Sequence, residues 1–544
     1  MSLSSLPEYW KVDRDLLVVM GAQAELQAAA WKKLGQSRVL AIVPETEPAQ
    51  DLPDVPLART LDDVRTFVWS MHVPFKHISM RLTNHGGINQ AQAQQFANHL
   101  QEEAQRHRTL LWSLDKLGPK WAANSLLNTP SLARSAWVHD YNGAFEGVPM
   151  IVVGAGPSLG QSIELLKRAK GRAIIVAVHR TLESLHRAGI QPDITIAVEC
   201  RDVKHQFMNV GTEQLAAVAL ATMVENNLQD VGAQRTIQFA SNRWEAWVLP
   251  DAEQEKSVVA SLGTVSHSAV SLGKVWGCDP IIMVGQDLAF PGGQVYHDNG
   301  ADGDTHIELD ERSGQFRLKG FSEWRDHTLG QEAHELFGCV EVAAIGGGTV
   351  LTSTTFNDYR VVLEDWADQW GGTPRLFNAS SSGAYIKGWE HGELGAILDE
   401  IPDIGLDVHR RFEHVERIAK LPPASRTDHI MARLRTTKTE LRRMDQLTTK
   451  CLRLIQRAIK QPAANHLSKI DTLEAQIKAC SQRLPLLTLA TQYHLKMTVN
   501  RAPAVTNVRD SLRLTQSLYT HLRAQSRALL EACDTALSGY SPQG

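Results

Sequence analysis

A run of four apolar residues, Met150–Val153, leads directly into the segment Gly154-Ala155-Gly156-Pro157-Ser158. Apolar residues then recur at helical spacing, at Leu159, Ile163 and Leu166. This order predicts a buried parallel strand, a tight turn and the beginning of a helix. The N–H groups of such a turn and the positive end of the helix dipole favour a phosphate, and glycines allow its close approach. The segment therefore indicates an α/β fold with a phosphate site after this strand.

The residues after the turn narrow the kind of nucleotide. The dinucleotide-binding fingerprint requires a third glycine where this chain has Leu159, and an acidic residue at the end of the next strand. The next predicted strand, Ala173–Val178, ends in His179-Arg180 instead, and the turn has no Walker-type lysine. NAD and Walker-type binding are therefore disfavoured. A strand, turn and helix without any ligand is the alternative for a lone Gly-x-Gly pattern.

Length and composition set the class of protein. A chain of 544 residues predicts two to four domains. No apolar run approaches the ~20 residues of a membrane span, and the first ten residues do not resemble a signal peptide. The six cysteines are scattered, without a C-x-x-C pair. These features predict a cytoplasmic protein with reduced thiols, without a membrane span or a structural zinc.

Hydrophobic patterns divide the chain into three predicted domains: 1–140, 141–400 and 401–544. In the first, strand Asp15–Met20, helix Glu25–Lys33 and strand Val39–Val43 predict a β-α-β unit. The second alternates short apolar strands with helices, which predicts a Rossmann-like open parallel sheet. The third has long helical patterns separated by prolines. The predicted α/β fold therefore has a central Rossmann-like sheet, preceded by a smaller α/β domain and followed by an all-α helical bundle.

The net charge of −4 conceals an asymmetry between these domains. Residues 401–544 contain 23 Lys/Arg and 12 Asp/Glu, a net charge of +11, which leaves −15 for residues 1–400. A basic segment on an acidic body predicts a docking surface for an anionic partner. A solvated helical face rich in arginine is the alternative interpretation.

Polar residues follow the carboxyl ends of the predicted strands of the central domain. Because the carboxyl ends of parallel strands meet at one edge of a sheet, we expect these residues to line one crevice. They are Gly154–Ser158, His179, Glu199–Asp202, Gln286, Asp287 and Asn378–Ser382. Residues Gly292–Phe316 are polar and lack periodicity, which predicts an active-site loop or lid.

Four stretches of the central domain together resemble the motility accessory factor (Maf) family, whose central region is an MptE-like domain. They are Val152–Leu159, Gly189–Ile194, Ile282–Ala289 and Asn378–Gly388. The resemblance is specific because Gly-Ala-Gly-Pro-Ser-Leu and Val-Gly-Gln-Asp-Leu-Ala occur in this order, whereas either motif alone would be weak evidence. The resemblance covers roughly residues 140–395, and a leading α/β region and a trailing helical region also fit the layout of the family.

This resemblance implies a cytoplasmic glycosyltransferase. Family members are linked to O-glycosylation of Ser/Thr of flagellin with nonulosonic acids such as pseudaminic or legionaminic acid, from a CMP-activated donor. The glycine turn is also similar to the nucleotide turn of bacterial sialyltransferases, so Gly154, Ala155, Gly156, Pro157 and Ser158 would hold CMP. Flagellin would dock on the helical domain. No cofactor and no nucleic acid would be required, and a homo-oligomer is possible.

Catalytic and donor-binding roles follow from the same resemblance. His297 is the first candidate for the general base, because histidine titrates near neutral pH. Tyr296 would stabilise the leaving phosphate, and Asp287 would orient the base or bind ribose. Each also has an ordinary alternative, as a packed or surface side chain or a helix cap. Further donor contacts are expected from His179, Asp193, Glu199, Gln286, Asn378 and Ser382; Glu199-Cys200 stands where the family commonly has aspartate.

A metal requirement is left open by the sequence. Asp287, Asp298, Asp302 and Asp304 offer the oxygen ligands that Mg²⁺ prefers, but their spacing differs from that of an EF-hand. Since sialyltransferase-type chemistry proceeds without a metal, we expect none to be required. Two other functions remain: a 6-hydroxymethylpterin pyrophosphokinase that uses ATP and Mg²⁺, as in MptE-like relatives, and a non-catalytic flagellin-binding module.

Overall fold

The computed structural model describes residues 15–540 with internal gaps. The gaps are 37, 72–74, 76, 85, 243–244, 301–302, 313–314, 321–336, 462–463 and 502–506. The chain forms two compact units. The first contains Met1–Pro119, Met444–Gln482 and Leu486–Ser526, and the second contains Lys120–Arg443, Arg483–Pro485 and Arg527–Gly544. The predicted domain boundaries at 140 and 400 stay predictions.

The first unit contains the smaller α/β fold that the sequence predicts. Its sheet has four parallel strands in the order β3-β2-β1-β4. The strands are β1 Leu16–Met20, β2 Val39–Ile42, β3 Leu57–Ala58 and β4 Ile78–Leu82. The apolar runs of β1 and β2 are buried throughout, as expected for strands covered on both faces. The helices are α1 Ala24–Lys33, α2 Leu61–Ser70 and α3 Gln90–Lys116.

The second unit contains the predicted Rossmann-like sheet. Nine strands pair in the order β17-β16-β11-β6-β7-β8-β9-β10-β5, and all neighbouring pairs are parallel. They are β5 Ala136–Trp137, β6 Met150–Val153, β7 Ile174–Val178, β8 Ile194–Ala197, β9 Ala217–Ala221, β10 Thr236–Phe239, β11 Ile281–Val284, β16 Leu376–Asn378 and β17 Glu390–His391. The predicted fold class is confirmed.

The strand order places a topological switch point beside the glycine turn. The chain runs outward from β6 through β7, β8, β9 and β10, and then returns to the other side of β6 as β11. Ligands of open α/β sheets bind outside the carboxyl ends of the strands near such a point. Strands β6, β7, β8 and β11 are buried along their whole length, so only their ends are available for chemistry.

Two antiparallel hairpins are inserted between β11 and β16. They are β12 His306–Asp310 with β13 Gln315–Lys319, and β14 Cys339–Ala343 with β15 Thr349–Ser353. The prediction of a loop without periodicity over Gly292–Phe316 was therefore wrong in its carboxyl-terminal half. There Ile307 and Leu309 alternate with polar residues, which is the pattern of a strand.

The remaining helices confirm the predicted all-α character of the carboxyl-terminal region. Between residues 118 and 400 they are α4 Gly118–Leu127, α5 Thr129–Arg134, α6 Leu159–Ser162, α7 Leu182–Arg187, α8 Asp251–Gln254, α9 Val265–Trp276, α10 Thr354–Trp370 and α11 Leu394–Glu400. Thereafter come α12 Val408–Ala419, α13 Ala424–Lys460, α14 Ala464–Ser481, α15 Pro485–Arg501 and α16 Val508–Ser538. In the described ranges, no helix combines the length and apolarity needed to cross a membrane.

Candidate functional site

The carboxyl edge of the nine-stranded sheet contains a cavity of about 420 Å³. Its wall is formed by the residues that follow β6, β7, β8 and β11, by the amino terminus of α9, and by Phe356 and Tyr359 of α10. The predicted site residues in this wall are Ala155, Gly156, His179, Glu199, Gln286, Asp287 and Tyr296. Those outside it are Gly154, Pro157, Ser158, Asp193, His297, Asn378 and Ser382.

The glycine turn packs closely against the end of the neighbouring strand. A Cβ atom on Gly154 would lie 2.6 Å from the carbonyl oxygen of Gly285 and 2.7 Å from Oε1 of Gln286. On Gly156 it would lie 2.1 Å from Oδ2 of Asp287. Neither Gly154 nor Gly156 has a positive φ. The close approach of neighbouring protein atoms therefore requires glycine at both positions. On the sequence alone, the same glycines are explained by the close approach of a ligand.

The N–H groups of the turn are also partly used within the protein. The Gly154 amide donates to the carbonyl of Val284, and the Gly156 amide donates to that of Gly285, both at 2.8 Å. The helix that follows, α6, has only four residues and continues as a 3₁₀ helix over Ile163–Ala169. Its dipole is correspondingly short. Of the turn that the sequence predicts as a phosphate site, only Ala155 and Gly156 line the cavity.

Asp287 joins the glycine turn to the loop after β16. One carboxylate oxygen, Oδ2, accepts hydrogen bonds from Ser158 N at 3.1 Å and Ser158 Oγ at 2.8 Å. The other, Oδ1, accepts from Ser382 Oγ at 2.8 Å. Burial raises the pKa of Asp287 to about 6, against the opposing effect of these hydrogen bonds. Ser158 and Ser382 therefore act on the site through Asp287.

A longer helix, α9, presents its amino terminus to the cavity. Residues 263–266 lie in the cavity wall, and the N-cap residue Thr264 makes no side-chain capping bond. The twelve-residue helix therefore directs uncapped N–H groups and a positive dipole end at this space. Gly263 is held at φ +101°, where a Cβ atom would lie 2.4 Å from the Tyr359 ring. The sequence predicts a helix here, since Thr264 precedes an apolar run, but its amino terminus was not among the predicted ligand-binding groups.

Two arginines contribute positive charge to the same wall. The guanidinium of Arg180 lies 4.8 Å from the ring centroid of Tyr296, in a cation–π arrangement. Arg201 pairs with Glu199 through two contacts, at 3.0 and 3.3 Å. Burial opposes ionisation of Glu199, but the Arg201 pair holds the pKa of this carboxyl below its usual range. The sequence placed Arg201 at the crevice, within Glu199–Asp202, but assigned it no role; Arg180 was not predicted as a site residue, although it follows a predicted strand end.

His179 enters the wall as a neutral ring. Burial lowers the pKa of His179 to about 4, and the neighbouring Arg180 acts in the same direction. The ring stacks on Phe207 at 5.9 Å with an interplanar angle of 5°. Its Nδ1 is buried and has no hydrogen-bond partner among the described residues. A neutral imidazole with an uncommitted nitrogen can donate to or accept from a neutral group of a ligand.

Asp193 lies at the other end of its strand, before β8 begins. Its carboxylate accepts from the Ile175 amide at 2.8 Å and from Lys170 Nζ at 2.7 Å. Both contacts join β7, β8 and the segment that leads into β7. Asp193, from which the sequence predicts a donor contact, therefore joins these backbone segments and lies away from the carboxyl-edge cavity.

His297 and Asn378 are placed beside the cavity by their backbone environment. The His297 amide donates to the carbonyl of Ala155 at 2.9 Å, and its ring packs on Gly160. Burial lowers the pKa of His297, and the Asp298 carboxylate opposes this. Asn378 is fully buried at the end of β16 and accepts from the Ser380 amide at 3.1 Å.

The oxygen ligands considered for a metal are not brought together. In the described ranges there is no group of three or more His, Cys, Asp or Glu side chains with metal-site geometry. Asp302 lies outside the described residues. The cavity itself offers Glu199, already paired with Arg201, and Asp287, already bonded by two serines.

Part of the chain is similar to a known protein family. Residues 123–293 match the family model "6-hydroxymethylpterin diphosphokinase MptE-like". This segment is therefore similar to MptE-like domains. It contains β6 to β11 and most of the cavity wall, and it includes three of the four stretches from which the resemblance was predicted, all except Asn378–Gly388. No curated protein matches the chain.

A solved structure shares the fold of nearly the whole chain. It is described as "Structure of MAf glycosyltransferase from Magnetospirillum magneticum AMB-1". The likeness covers 97% of this chain and 83% of that chain, with a TM-score of 0.54 and 12% sequence identity. The predicted resemblance to the Maf proteins is confirmed at the level of fold. The likeness extends over the carboxyl-terminal helices, beyond the MptE-like domain.

Proposed function

We propose that this protein is a glycosyltransferase that binds a CMP-nonulosonate in the carboxyl-edge cavity and transfers the sugar to Ser/Thr of flagellin in the cytoplasm. The observation that carries the proposal is the convergence of Arg180, Arg201 and the uncapped amino terminus of α9 on one cavity. These groups favour anions. The fold shared with a Maf glycosyltransferase supports the reaction class.

The charges of the donor match the positive groups of the wall. A CMP-nonulosonate carries a phosphodiester and a sugar carboxylate, so it brings two negative groups. The phosphodiester is proposed to bind at the amino terminus of α9 and Arg180, with the Tyr296 hydroxyl stabilising the leaving oxygen. Arg201, oriented by Glu199, is proposed to receive the carboxylate. The rim residues Ala155 and Gly156 and the side chains of His179 and Gln286 would shape the remaining wall.

Transfer requires deprotonation of the acceptor hydroxyl. We assign this role to Asp287 rather than His297, because Asp287 lies in the cavity wall and burial raises its pKa to about 6. The acceptor oxygen bonds to the anomeric carbon as the bond from that carbon to the phosphate oxygen breaks. CMP leaves with the bonding electron pair, and the acceptor proton passes to Asp287. Ser158 and Ser382 hold the carboxylate in place.

The donor site is tested by calorimetric titration of CMP into the full-length protein. We expect Arg180→Gln to weaken CMP binding by ~10-fold or more, since it removes a charged partner of the phosphate. Arg187→Gln is the matched control, because Arg187 is exposed on α7, where it pairs with Glu183. Equal CMP affinity in the wild type and in Arg180→Gln would show that the donor does not bind in this cavity.

The same site supports a second reaction class, because the matching family model carries the description of a diphosphokinase. Such an enzyme would convert 6-hydroxymethylpterin and ATP, with Mg²⁺, to the diphosphate and AMP. The two proposals are separated by incubating the protein with ATP, Mg²⁺ and the pterin, and in parallel with a CMP-nonulosonate, flagellin and EDTA. AMP formation without sugar transfer would favour the kinase. Sugar transfer in EDTA would favour a transferase that requires no metal.

A further inference from the structure

The carboxyl-terminal part of α13 carries a row of exposed cations on one face. Its four members are Lys450, Arg453, Arg457 and Lys460, called the cationic row below. At about 100° and 1.5 Å per residue, these side chains fall within about 80° of one another around the helix and extend over about 15 Å along it. Buried residues of the same turns, among them Cys451, Ile455 and Ala458, lie on the opposite face. The row therefore points away from the side of the helix that packs.

The cationic row lacks negative neighbours. The sequence contains no Asp or Glu from Gln446 to Ile470. On the amino-terminal side of this window Asp445 accepts from Arg523 Nε at 3.2 Å. On the other side Asp471 is exposed on α14, and Glu474 accepts from Tyr519. In the part of the chain that the structure describes, no member of the row takes part in an ion pair. Its four charges are thus left to solvent or to a partner.

This arrangement has a cost for the helix itself. The successive members are three or four residues apart, a spacing at which like charges repel and destabilise a helix. Solubility alone is served by charges of mixed sign. The helix dipole favours cations in the last turn, at Arg457 and Lys460. For Lys450 and Arg453, which lie before that turn, an anionic partner would relieve the repulsion.

We propose that the cationic row docks an acidic helical segment of a partner protein, with carboxylates at matching three- and four-residue spacing. The short length of the row suits about three turns of such a segment. No large apolar side chain is exposed in the described part of residues 444–482, as insertion into a lipid surface would require. This docking does not depend on the proposed transferase activity.

The proposal is tested with the full-length protein and two labelled helical peptides of equal composition. The matched peptide has glutamates at positions i, i+3, i+7 and i+10; the scrambled peptide distributes them around the helix. We expect the wild type to bind the matched peptide at least ~10-fold more tightly by fluorescence anisotropy. In the variant K450Q/R453Q/R457Q/K460Q this preference is lost, while its melting temperature stays equal or rises because the repulsion is gone.

The control variant K116Q/K478Q/R509Q/R513Q removes four exposed cations elsewhere in the same unit and should keep the preference. Equal binding of both peptides to the wild type, or an equal loss in the control variant, would overturn the proposal. Vesicles with anionic lipid and a DNA duplex are titrated in parallel. Tighter binding of either one through the cationic row would likewise overturn the assignment to a protein partner.

Discussion

Gly156→Ala is the substitution that most sharply tests what the glycine turn is for. The added Cβ would lie 2.1 Å from Oδ2 of Asp287, so the carboxylate would have to move by about 1 Å to reach the closest distance that real Cβ atoms show. That shift breaks the bonds from Ser158 N and Ser158 Oγ. At about 1.5–3 kcal/mol for each bond to a charged group, we expect a loss of about 3–6 kcal/mol in the free energy of unfolding.

Urea denaturation followed by tryptophan fluorescence measures this loss. Gly338→Ala is the control, because a Cβ there meets no atom within 4 Å and Gly338 has no positive φ. In the double variant G156A/D287A the clash with the carboxylate is absent, so its cost should fall short of the sum of the single costs by at least ~1 kcal/mol. Additive costs, or a loss in Gly156→Ala no larger than in Gly338→Ala, would refute the packing role of Gly156. Either result would favour a ligand-binding role for this glycine.

Three further predictions follow from the site. Because burial raises the pKa of Asp287 to about 6, the folded state keeps a proton that the unfolded chain loses from about pH 4; the wild type should therefore lose about 2 kcal/mol of stability relative to D287N as pH rises from 4 to 6, measurable by urea titration at both pH values. Asp287→Asn should reduce the kcat for sugar transfer by ~100-fold or more, and more than His297→Ala does; the reverse order would return the base role to His297. Asp193→Ala should lower the free energy of unfolding by about 1–3 kcal/mol, since the Ile175 amide and Lys170 lose their acceptor; unchanged stability would contradict the structural role.

The strands were predictable because their chemistry is local. Met150–Val153 is an uninterrupted apolar run, and the structure has a strand with the same bounds. The rule that parallel strands end at one edge then brought Gly156, His179, Glu199 and Asp287 to one cavity without any tertiary information. The resemblance to the MptE-like and Maf proteins came from the same strand-end motifs.

The features that the sequence did not predict depend on contacts between segments that are distant in the chain. Gly156 looks like a ligand-binding glycine until the position of Asp287, 131 residues later in the sequence, is known. The position of the α9 amino terminus at the cavity depends on where the fold places Thr264. A four-residue α6 cannot be told from a longer helix by its apolar spacing. Likewise α15, whose apolar residues surround the helix instead of forming one face, gave no helical period to detect.

The central claim is that the carboxyl-edge cavity transfers a nonulosonic acid to flagellin. The most direct test is the intact mass of flagellin co-expressed with a nonulosonate pathway and this protein, compared with D287N and with the surface control Arg187→Gln. We expect flagellin to be heavier by whole nonulosonate residues with the wild type and the control, and to be unmodified with D287N. Unmodified flagellin with the wild type, or equal modification with D287N, would contradict it.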